Sequence, residues 1–278
     1  MRIIESIADM KKFRLKLPEP VGFVPTMGYL HEGHLALVRH AKSENKSVVV
    51  SIFVNPTQFG PQEDFGKYPR DPQRDLAMLE TVKTDAVFMP PVEEMYPPGY
   101  DTWVELGKIT HRLEGAARPT HFRGVTTVVT KLFNIVQPNR AYFGQKDAQQ
   151  ALVLTKMARE LNMDDLEVIT LPTVREPDGL AMSSRNIYLS PAERKGATVL
   201  YQSLRLAEQL YQNGERDARK VHQQMLDLIQ KEPLAQVDYI SIANAETLDE
   251  LDTIKLPALV SLVVKFGRTR LLDNIVLR

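Results

Sequence analysis

The chain has 278 residues, 43% of them hydrophobic and 25% charged, an ordinary composition for one large or two modest globular domains. Lysine plus arginine number 35, and so do aspartate plus glutamate, which argues against a general nucleic-acid binder with its basic excess. The sequence has no cysteine, which excludes disulfides, thiolate catalysis and cysteine-ligated zinc. No segment reaches the ~18 apolar residues of a membrane span, and the first residues do not form a signal peptide, so we expect a cytoplasmic protein without a membrane partner.

The N-terminal part alternates short apolar runs with amphipathic segments. Apolar runs predict strands at 21–25, 47–54, 85–90, 140–144 and 166–172. Helical spacing predicts helices at 34–44, 72–82, 124–136 and 146–162. This alternation is typical of an α/β fold with a Rossmann-like parallel sheet and right-handed crossovers.

The pattern changes near residue 175, where a polar connector begins. Two helical stretches, 191–212 and 217–231, are followed by strand-like runs at 237–243, 259–266 and 271–277. Helices first and strands later indicate a smaller α+β domain. We therefore predict two domains, residues 1–175 and residues 176–278.

The segment PTMGYLHEGH, residues 25–34, holds two of the six histidines at a predicted strand-to-helix turn. Glycines there allow the backbone to approach a ligand, and a helix N-terminus offers unpaired N–H groups to phosphate. His31 and His34 can donate hydrogen bonds to phosphate oxygens and stabilise charge on a leaving pyrophosphate. The structural alternative is two surface histidines beside a turn, and a metal site is disfavoured because no third ligand stands at a usual spacing.

The polar loop at 51–71 leaves a predicted strand at the edge where doubly wound sheets bind ligands. In the loop 51–71, Asn55 and Gln58 carry amides that both donate and accept hydrogen bonds, which suits a hydroxyl-bearing acid. An Asn-Pro turn with solvated polar residues is the alternative for that loop.

The segment FGQKDAQQ, residues 143–150, places Lys146 beside Asp147 at a helix entrance. A lysine there suits phosphate, while the acid can cap the helix or accept from a ribose hydroxyl. Gln150 lies one helical turn after Lys146 on the same face. A capped, solvated helix start is the alternative.

The segment LAMSSRN, residues 180–186, combines two hydroxyls with a guanidinium in a polar loop. These groups can form a mobile phosphate clamp, and a flexible domain linker is the alternative.

The string HEGH is similar to the H-x-G-H signature of the nucleotidylyltransferase superfamily, which includes class I aminoacyl-tRNA synthetases and shares a Rossmann-like domain. Together with VSIFVNPTQF, EGAARPTHFRGVTTVVTKLFNIVQP, FGQKD and GLAMSSRN, it closely resembles the pantoate–β-alanine ligase family over essentially the whole chain. The resemblance implies a ligase that forms an amide bond from pantoate and β-alanine. ATP is the co-substrate, pantoyl adenylate the intermediate, and pantothenate, AMP and pyrophosphate the products.

The resemblance also implies a catalytic domain at 1–175 that binds nucleotide and pantoate, a C-terminal lid domain, a homodimer, and Mg²⁺ carried mainly by the ATP phosphates. The catalytic residues carried over are His34, His31, Lys146 and Arg185. The ATP-binding residues carried over are Met27, Gly28, Tyr29, Leu30, His31, Glu32, Gly33, His34, Gly144, Gln145, Lys146, Asp147, Val174, Met182, Ser183, Ser184 and Arg185.

For the other substrates, the resemblance assigns pantoate and β-alanine to Gln58 and pantoate to Gln150, with Asn55 and Tyr68 as further members of the site. His34 matches the residue that the family uses as a general acid. We expect both histidines to act mainly as hydrogen-bond donors to pyrophosphate, because no carboxylate partner is evident from the sequence. Acids such as Asp75 could reach Mg²⁺, but no spacing selects a protein ligand.

The segment 114–125, rich in Arg, His and Gly, is expected near the site or at a subunit contact. One rival interpretation is another nucleotidylyltransferase or a tRNA-synthetase fragment, which the neutral charge and the VNPTQF loop disfavour. A nucleotide-sensing protein without catalysis is the other rival. It is disfavoured because the histidines and the cationic residues are all present.

Overall fold

A computed structural model of the chain describes residues 1–60, 63 and 65–278. The chain folds into two compact units, Met1–Gln145 with Gln149–Pro172, and Lys146–Ala148 with Thr173–Arg278. Sequence reasoning placed Lys146–Ala148 in the N-terminal domain. In the structure these three residues group with the second unit, where Asn274 Nδ2 donates a hydrogen bond of 2.8 Å to the Lys146 carbonyl. Within the described residues, no helix is long and apolar enough to cross a membrane.

The first unit contains a six-stranded parallel sheet. Its strands are β1 (Arg2–Ile4), β2 (Val21–Thr26), β3 (Ser47–Ile52), β4 (Ala86–Phe88), β5 (Arg140–Gly144) and β6 (Glu167–Leu171). The strand order is β1-β4-β3-β2-β5-β6. The chain moves outward from β2 through β3 to β4 and then returns to place β5 on the other side of β2. The strand order therefore reverses between β2 and β5, and ligands of doubly wound sheets bind at the carboxyl ends of strands at such a point.

Helices of very different lengths connect these strands. They are α1 (Ile7–Arg14), α2 (Glu32–Glu44), α3 (Pro72–Thr81), α4 (Val92–Met95), α5 (Glu114–Ala117), α6 (His121–Val136) and α7 (Ala148–Glu160). The helices predicted at 34–44, 72–82, 124–136 and 146–162 are confirmed with shifted ends. A 3₁₀ turn, Gln145–Asp147, precedes α7. Sequence reasoning missed β1, α1, α4 and α5.

The core of this unit explains why the central strands read as continuous apolar runs. Both faces of β2 are covered. Val24 packs with Leu35 and Val38 of α2, while the Phe23 ring contacts the Phe133 ring of α6 with centroids 6.5 Å apart. Burial on both faces removes the alternation of polar and apolar residues that marks a half-exposed strand.

The second unit contains the connector, three helices and a three-stranded antiparallel sheet of order β7-β8-β9. Its elements are α8 (Pro191–Gly196), α9 (Val199–Gln212), α10 (Ala218–Ile229), β7 (Ala235–Asn244), β8 (Ala258–Phe266) and β9 (Thr269–Leu277). Leu204 of α9, Met225 of α10 and Leu262 of β8 are fully buried in its core. The α/β fold with a smaller α+β unit is thus confirmed.

The prediction of one continuous helix at 191–212 is wrong. The helix is interrupted at Ala197 and Thr198. Gly196 is a weak helix former, and the Thr198 hydroxyl donates to the Lys195 carbonyl at 2.9 Å, which favours a local turn over a continued helix.

Candidate active site

The turn between β2 and α2 carries the H-x-G-H string at the point where the strand order reverses. Gly28 and Tyr29 both adopt positive φ, at 82° and 49°. For tyrosine this left-handed conformation is strained, so neighbouring groups must hold it. The carboxylate of Asp75, at the start of α3, accepts hydrogen bonds from the backbone N–H groups of Tyr29 and Leu30, both at 2.7 Å.

Arg74 reinforces the same turn from α3. Its guanidinium donates to the Leu30 carbonyl at 2.8 Å and lies over the Tyr29 ring, 5.0 Å from the centroid. Burial raises the pKa of Asp75 above its ordinary value, although the two backbone hydrogen bonds act in the opposite direction. Asp75 is 1% exposed and its oxygens both accept from the turn, so its carboxylate serves the backbone.

The two histidines form the N-terminal cap of α2. His31 Nδ1 accepts a hydrogen bond from the Gly33 N–H at 3.1 Å, and His34 Nδ1 accepts one from the His31 N–H at 3.3 Å. A ring nitrogen that accepts carries no proton, so in each neutral imidazole the proton is on Nε2. The ring centroids lie 4.0 Å apart. The two rings can therefore present two N–H donors side by side at a helix N-terminus.

Gln58 ends a 3₁₀ turn, Pro56–Gln58, that follows β3. Its Oε1 accepts from Asn55 Nδ2 at 3.2 Å, and its Nε2 donates to the Met27 sulfur at 2.9 Å. Gln58 thus lies against the H-x-G-H turn within the first unit. Tyr68, later in the same loop, is buried, and its ring centroid lies 5.8 Å from that of Phe59. The predicted loop 51–71 also contains Pro61, Gln62 and Asp64, which lie outside the described residues.

The segment 114–125, whose role the sequence left open, holds the turn that carries Gln58. Arg118 Nη2 and His121 Nδ1 both contact the Gln58 carbonyl, at 3.2 and 2.9 Å. Arg118 also makes a two-point ion pair with Glu63 at 2.6 Å, which lowers the pKa of Glu63 although burial alone would raise it. Burial, helped by the neighbouring Arg118 charge, lowers the pKa of His121 to about 4.

Gly124 of α6 packs directly against the backbone of the Gln58 turn. A Cβ atom at Gly124 would lie 2.3 Å from the Thr57 carbonyl oxygen and 2.7 Å from Gln58 Cα. Only glycine fits at this backbone-to-backbone contact.

In the second unit, Lys146 and Asp147 form an ion pair at 3.7 Å. The Lys146 carbonyl accepts from Asn274 of β9. Arg175 makes a bidentate pair with Asp273, the residue before Asn274, at 2.6 and 3.0 Å. The lysine backbone and the connector are therefore both held by β9.

The connector itself is an ordered turn. Arg175 and Ala181 form an antiparallel bridge, and the Met182 N–H donates to the Val174 carbonyl at 3.0 Å. Ser183 caps a 3₁₀ helix, Ser184–Tyr188, which contains Arg185. The second unit thus brings together Val174 and the segment 182–185.

The structure also refines the predictions for individual residues. Glu32 is exposed, and its carboxylate pairs with Arg39. In α7, the neighbouring Gln149 is the buried glutamine. It donates to the carbonyls of Ile109 and Arg112, while Gln150 is only partly buried. Among the described residues, no cluster of three or more His, Asp or Glu side chains could hold a metal ion.

Sequence reasoning missed the structural roles of Asp75, Arg118, His121 and Gly124. One signal could have identified Asp75. The string RDPQRD places two aspartates four residues apart at a helix start, and Asp71 already caps α3. The second acid is therefore available for another partner.

A Rossmann-like sheet that presents a helix N-terminus and two imidazoles at its switch point defines a nucleotide-binding α/β enzyme. The chain belongs to the pantoate–β-alanine ligase family, whose model matches residues 2–276. The pantothenate synthetase of Thermotoga petrophila is 58% identical over 280 residues, 100% of both proteins. That of Acetivibrio thermocellus is 57% identical over 279 residues, 99% of both.

Solved structures of the same family are similar over the whole chain. The pantothenate synthetase of Thermus thermophilus has a TM-score of 0.95 at 48% identity and covers 99% of each chain. The pantoate–β-alanine ligase of Francisella tularensis, in complex with beta-gamma ATP and β-alanine, has a TM-score of 0.82 at 34% identity. It covers 99% of this chain and 97% of its own.

Proposed function

We propose that the chain catalyses the ATP-dependent condensation of pantoate with β-alanine to pantothenate, AMP and pyrophosphate. Family membership over residues 2–276 supports this activity. The observation that carries the catalytic role is the pair of imidazoles whose Nδ1 atoms accept backbone N–H groups at the start of α2.

The reaction has two steps. A pantoate carboxylate oxygen attacks the α-phosphorus of ATP, a P–O bond forms, and the bond to pyrophosphate breaks. The neutral amine of β-alanine then attacks the acyl carbon of pantoyl adenylate. The amide C–N bond forms and the bond between the acyl carbon and the phosphate-bound oxygen breaks. AMP leaves with that oxygen and the electron pair of the broken bond, and the amine loses a proton to solvent. Adenylation replaces a poor leaving group by a good one, so the protein has to supply positioning and charge stabilisation.

The histidines stabilise pyrophosphate as it leaves. Each neutral ring offers an Nε2 N–H to the oxygens on which negative charge develops. Loss of the Nε2 proton from a neutral ring would leave an imidazolate. A doubly protonated ring would carry a hydrogen on Nδ1 as well. That hydrogen would face the backbone N–H from which Nδ1 now accepts, so two donors would oppose each other. This geometry supports hydrogen-bond donation by His34 and His31, and it disfavours His34 as a proton donor.

ATP binding is assigned to three sets of residues. The turn supplies Met27, Gly28, Tyr29, Leu30, His31, Glu32, Gly33 and His34, and the end of β5 supplies Gly144 and Gln145. The family resemblance also assigns Lys146, Asp147, Val174, Met182, Ser183, Ser184 and Arg185 to ATP binding. Lys146 and Arg185 act on the phosphates as cations, and Asp147, which is exposed, accepts from the ribose.

Pantoate is assigned to Gln58 and Gln150, with Gln58 also facing β-alanine, and with Asn55 and Tyr68 completing this part of the site. The contact between Gln58 Nε2 and the Met27 sulfur supports the assignment, because a thioether is a weak acceptor that a substrate oxygen can replace.

Magnesium enters with ATP, carried by its phosphates, as part of the substrate. The described residues offer no metal cluster, and the Asp75 carboxylate is already used by two backbone N–H groups. We further propose a cytoplasmic homodimer. The family resemblance supports the dimer and the absence of cysteine supports a reducing compartment. Sedimentation equilibrium would test the dimer.

The decisive experiment is AMP release from ATP with pantoate, measured with and without β-alanine. We expect AMP to form only when all three substrates and Mg²⁺ are present. AMP release that does not depend on β-alanine, or no AMP at all, would refute the proposed ligase activity.

A further inference from the structure

A buried amide, Asn55, stands between Gln58 and the hydroxyl of Tyr96. Asn55 Oδ1 accepts hydrogen bonds from the Thr57 hydroxyl at 3.0 Å and from the Tyr96 hydroxyl at 2.9 Å. Asn55 Nδ2 donates to the Gly124 carbonyl at 3.1 Å and to Gln58 Oε1 at 3.2 Å. The side chain is 1% exposed, and all its polar atoms are engaged with protein groups. Asn55 is therefore placed to orient Gln58.

The orientation of an amide depends on its partners, because its oxygen and nitrogen ends have nearly the same shape. Donors converge on Asn55 Oδ1 and a carbonyl faces Asn55 Nδ2, so Asn55 can adopt only one orientation. That orientation turns an N–H toward Gln58 and makes Oε1 the end of Gln58 that faces Asn55. Gln58 Nε2, with its N–H donors, is consequently the end that faces Met27.

Tyr96 is well held for this role. Its ring contacts the rings of Phe53 and Tyr100, with centroids 6.2 and 5.0 Å away, and the Lys131 Nζ lies 5.5 Å from its centroid. Burial raises the pKa of Tyr96 to about 12, so the phenol keeps its proton and remains a donor.

We propose that Tyr96 is a positioning residue for pantoate: through Asn55 it fixes the amide of Gln58 so that N–H groups, rather than a carbonyl, face the oxygens of the substrate. This inference rests on the proposed function, because it assigns a chemical preference to the pantoate part of that site. It predicts that the substrate group bound by Gln58 is a hydrogen-bond acceptor, such as a carboxylate or hydroxyl oxygen.

The test is Tyr96→Phe, which removes one hydroxyl and keeps the ring. The matched control is Tyr100→Phe, because the described residues supply no hydrogen-bond partner for the Tyr100 hydroxyl. Loss of one buried hydrogen bond corresponds to roughly a 3- to 10-fold effect. We expect Tyr96→Phe to raise KM for pantoate by that factor and to leave KM for ATP unchanged, while Tyr100→Phe changes neither.

A second variant tests the orientation directly. In Asn55→Asp the ionised carboxylate only accepts, so both the Gly124 carbonyl and Gln58 Oε1 lose their donor. We then expect Gln58 to turn its Nε2 toward the aspartate and to present its carbonyl to pantoate. We expect a rise in KM for pantoate of at least ~30-fold, well beyond that of Tyr96→Phe. If this variant does not fold, Tyr96→Phe alone decides.

The outcomes separate the two proposals. A wild-type protein that releases no AMP refutes the proposed function and this inference with it. An active wild type with an unchanged KM for pantoate in Tyr96→Phe refutes the inference alone. An equal rise in KM for ATP would show that Tyr96 supports the fold generally and would also overturn a positioning role.

Discussion

Replacing Gly124 by alanine should displace Gln58 and lower activity while the chain remains folded. The added Cβ would lie 2.3 Å from the Thr57 carbonyl oxygen, where ordinary Cβ contacts are 3.4–4 Å. The helix α6 and the Gln58 turn must therefore separate by roughly 1 Å, since the neighbouring atoms belong to the backbone and cannot rotate away. The Gly124 carbonyl is also the acceptor for Asn55 Nδ2, so the same shift disturbs the amide that orients Gln58.

Two opposing effects set the size of the stability change. Overpacking a tight contact lowers the free energy of unfolding by about 1–3 kcal/mol. Alanine in place of glycine inside a helix raises it by about 1 kcal/mol. The net loss of unfolding free energy is therefore expected to be about 0–2 kcal/mol. A displacement of roughly 1 Å at a binding group can reduce catalytic efficiency by ~100-fold. A ~100-fold loss corresponds to about 2.7 kcal/mol of transition-state stabilisation, which exceeds the expected loss of unfolding free energy.

The assay is initial AMP release at varied pantoate, together with urea unfolding. The control is Gly196→Ala at the end of α8. The three heavy atoms nearest to an added Cβ would all belong to the Glu232 carboxyl group, at 2.8–3.1 Å, and this group is the far end of a flexible side chain that can move away. The control should unfold at an equal or slightly higher urea concentration and keep the wild-type KM for pantoate. If Gly124→Ala also keeps that KM, α6 can withdraw without moving Gln58, and the reasoning is refuted.

Three other variants follow from the site. Asp75→Asn keeps only one acceptor for the Tyr29 and Leu30 N–H groups, so pyrophosphate release should slow by ~10- to 100-fold. An unchanged rate of release would contradict the role of Asp75. His34→Gln retains an N–H donor and should keep more adenylation activity than His34→Ala. Equal losses in a rapid-quench measurement would favour proton transfer instead. The pKa of His121 falls from 6.5 to about 4 on folding, so the unfolded chain binds this proton more readily. The free energy of unfolding should therefore decrease by at most about 3 kcal/mol as pH falls from 6.5 to 4, as measured by urea titration at each pH. The variant His121→Asn should lose that pH dependence.

Much of the fold could be predicted because its signals are local. Continuous apolar runs identified β2 and β3, and the proline and serine at 190–191 identified the start of α8. The strand β1 was not predicted because it has only three residues, which is too short to show a periodic pattern. Only Ile4 of the three is buried. The break after Gly196 was missed because it depends on hydrogen bonds that periodicity does not report.

The candidate site likewise has parts that local sequence signals indicate and parts that depend on distant contacts. The sequence selected His31, His34 and Gln58 as candidates because their residue types and their places after strands carry chemical information. It did not indicate the backbone contacts of Asp75 or the hydrogen bond of Tyr96, since each of these involves a partner that is distant in sequence. The carboxylate of Asp75 binds a turn 45 and 46 residues away, and the Tyr96 hydroxyl binds an amide 41 residues away. Such contacts become visible only when the sheet order is known.

The geometry of the turn also explains why histidine stands at the cap of α2. Serine or aspartate would satisfy the same backbone N–H groups, but an ionised aspartate has no donor, and a serine hydroxyl has its only heteroatom at the cap. An imidazole has two nitrogens on opposite sides of a rigid ring. One can accept from the backbone while the other, which must then carry the proton, can donate to another group. The backbone of the turn thus fixes which nitrogen of His31 and His34 is the donor, and no additional carboxylate is required to select the tautomer.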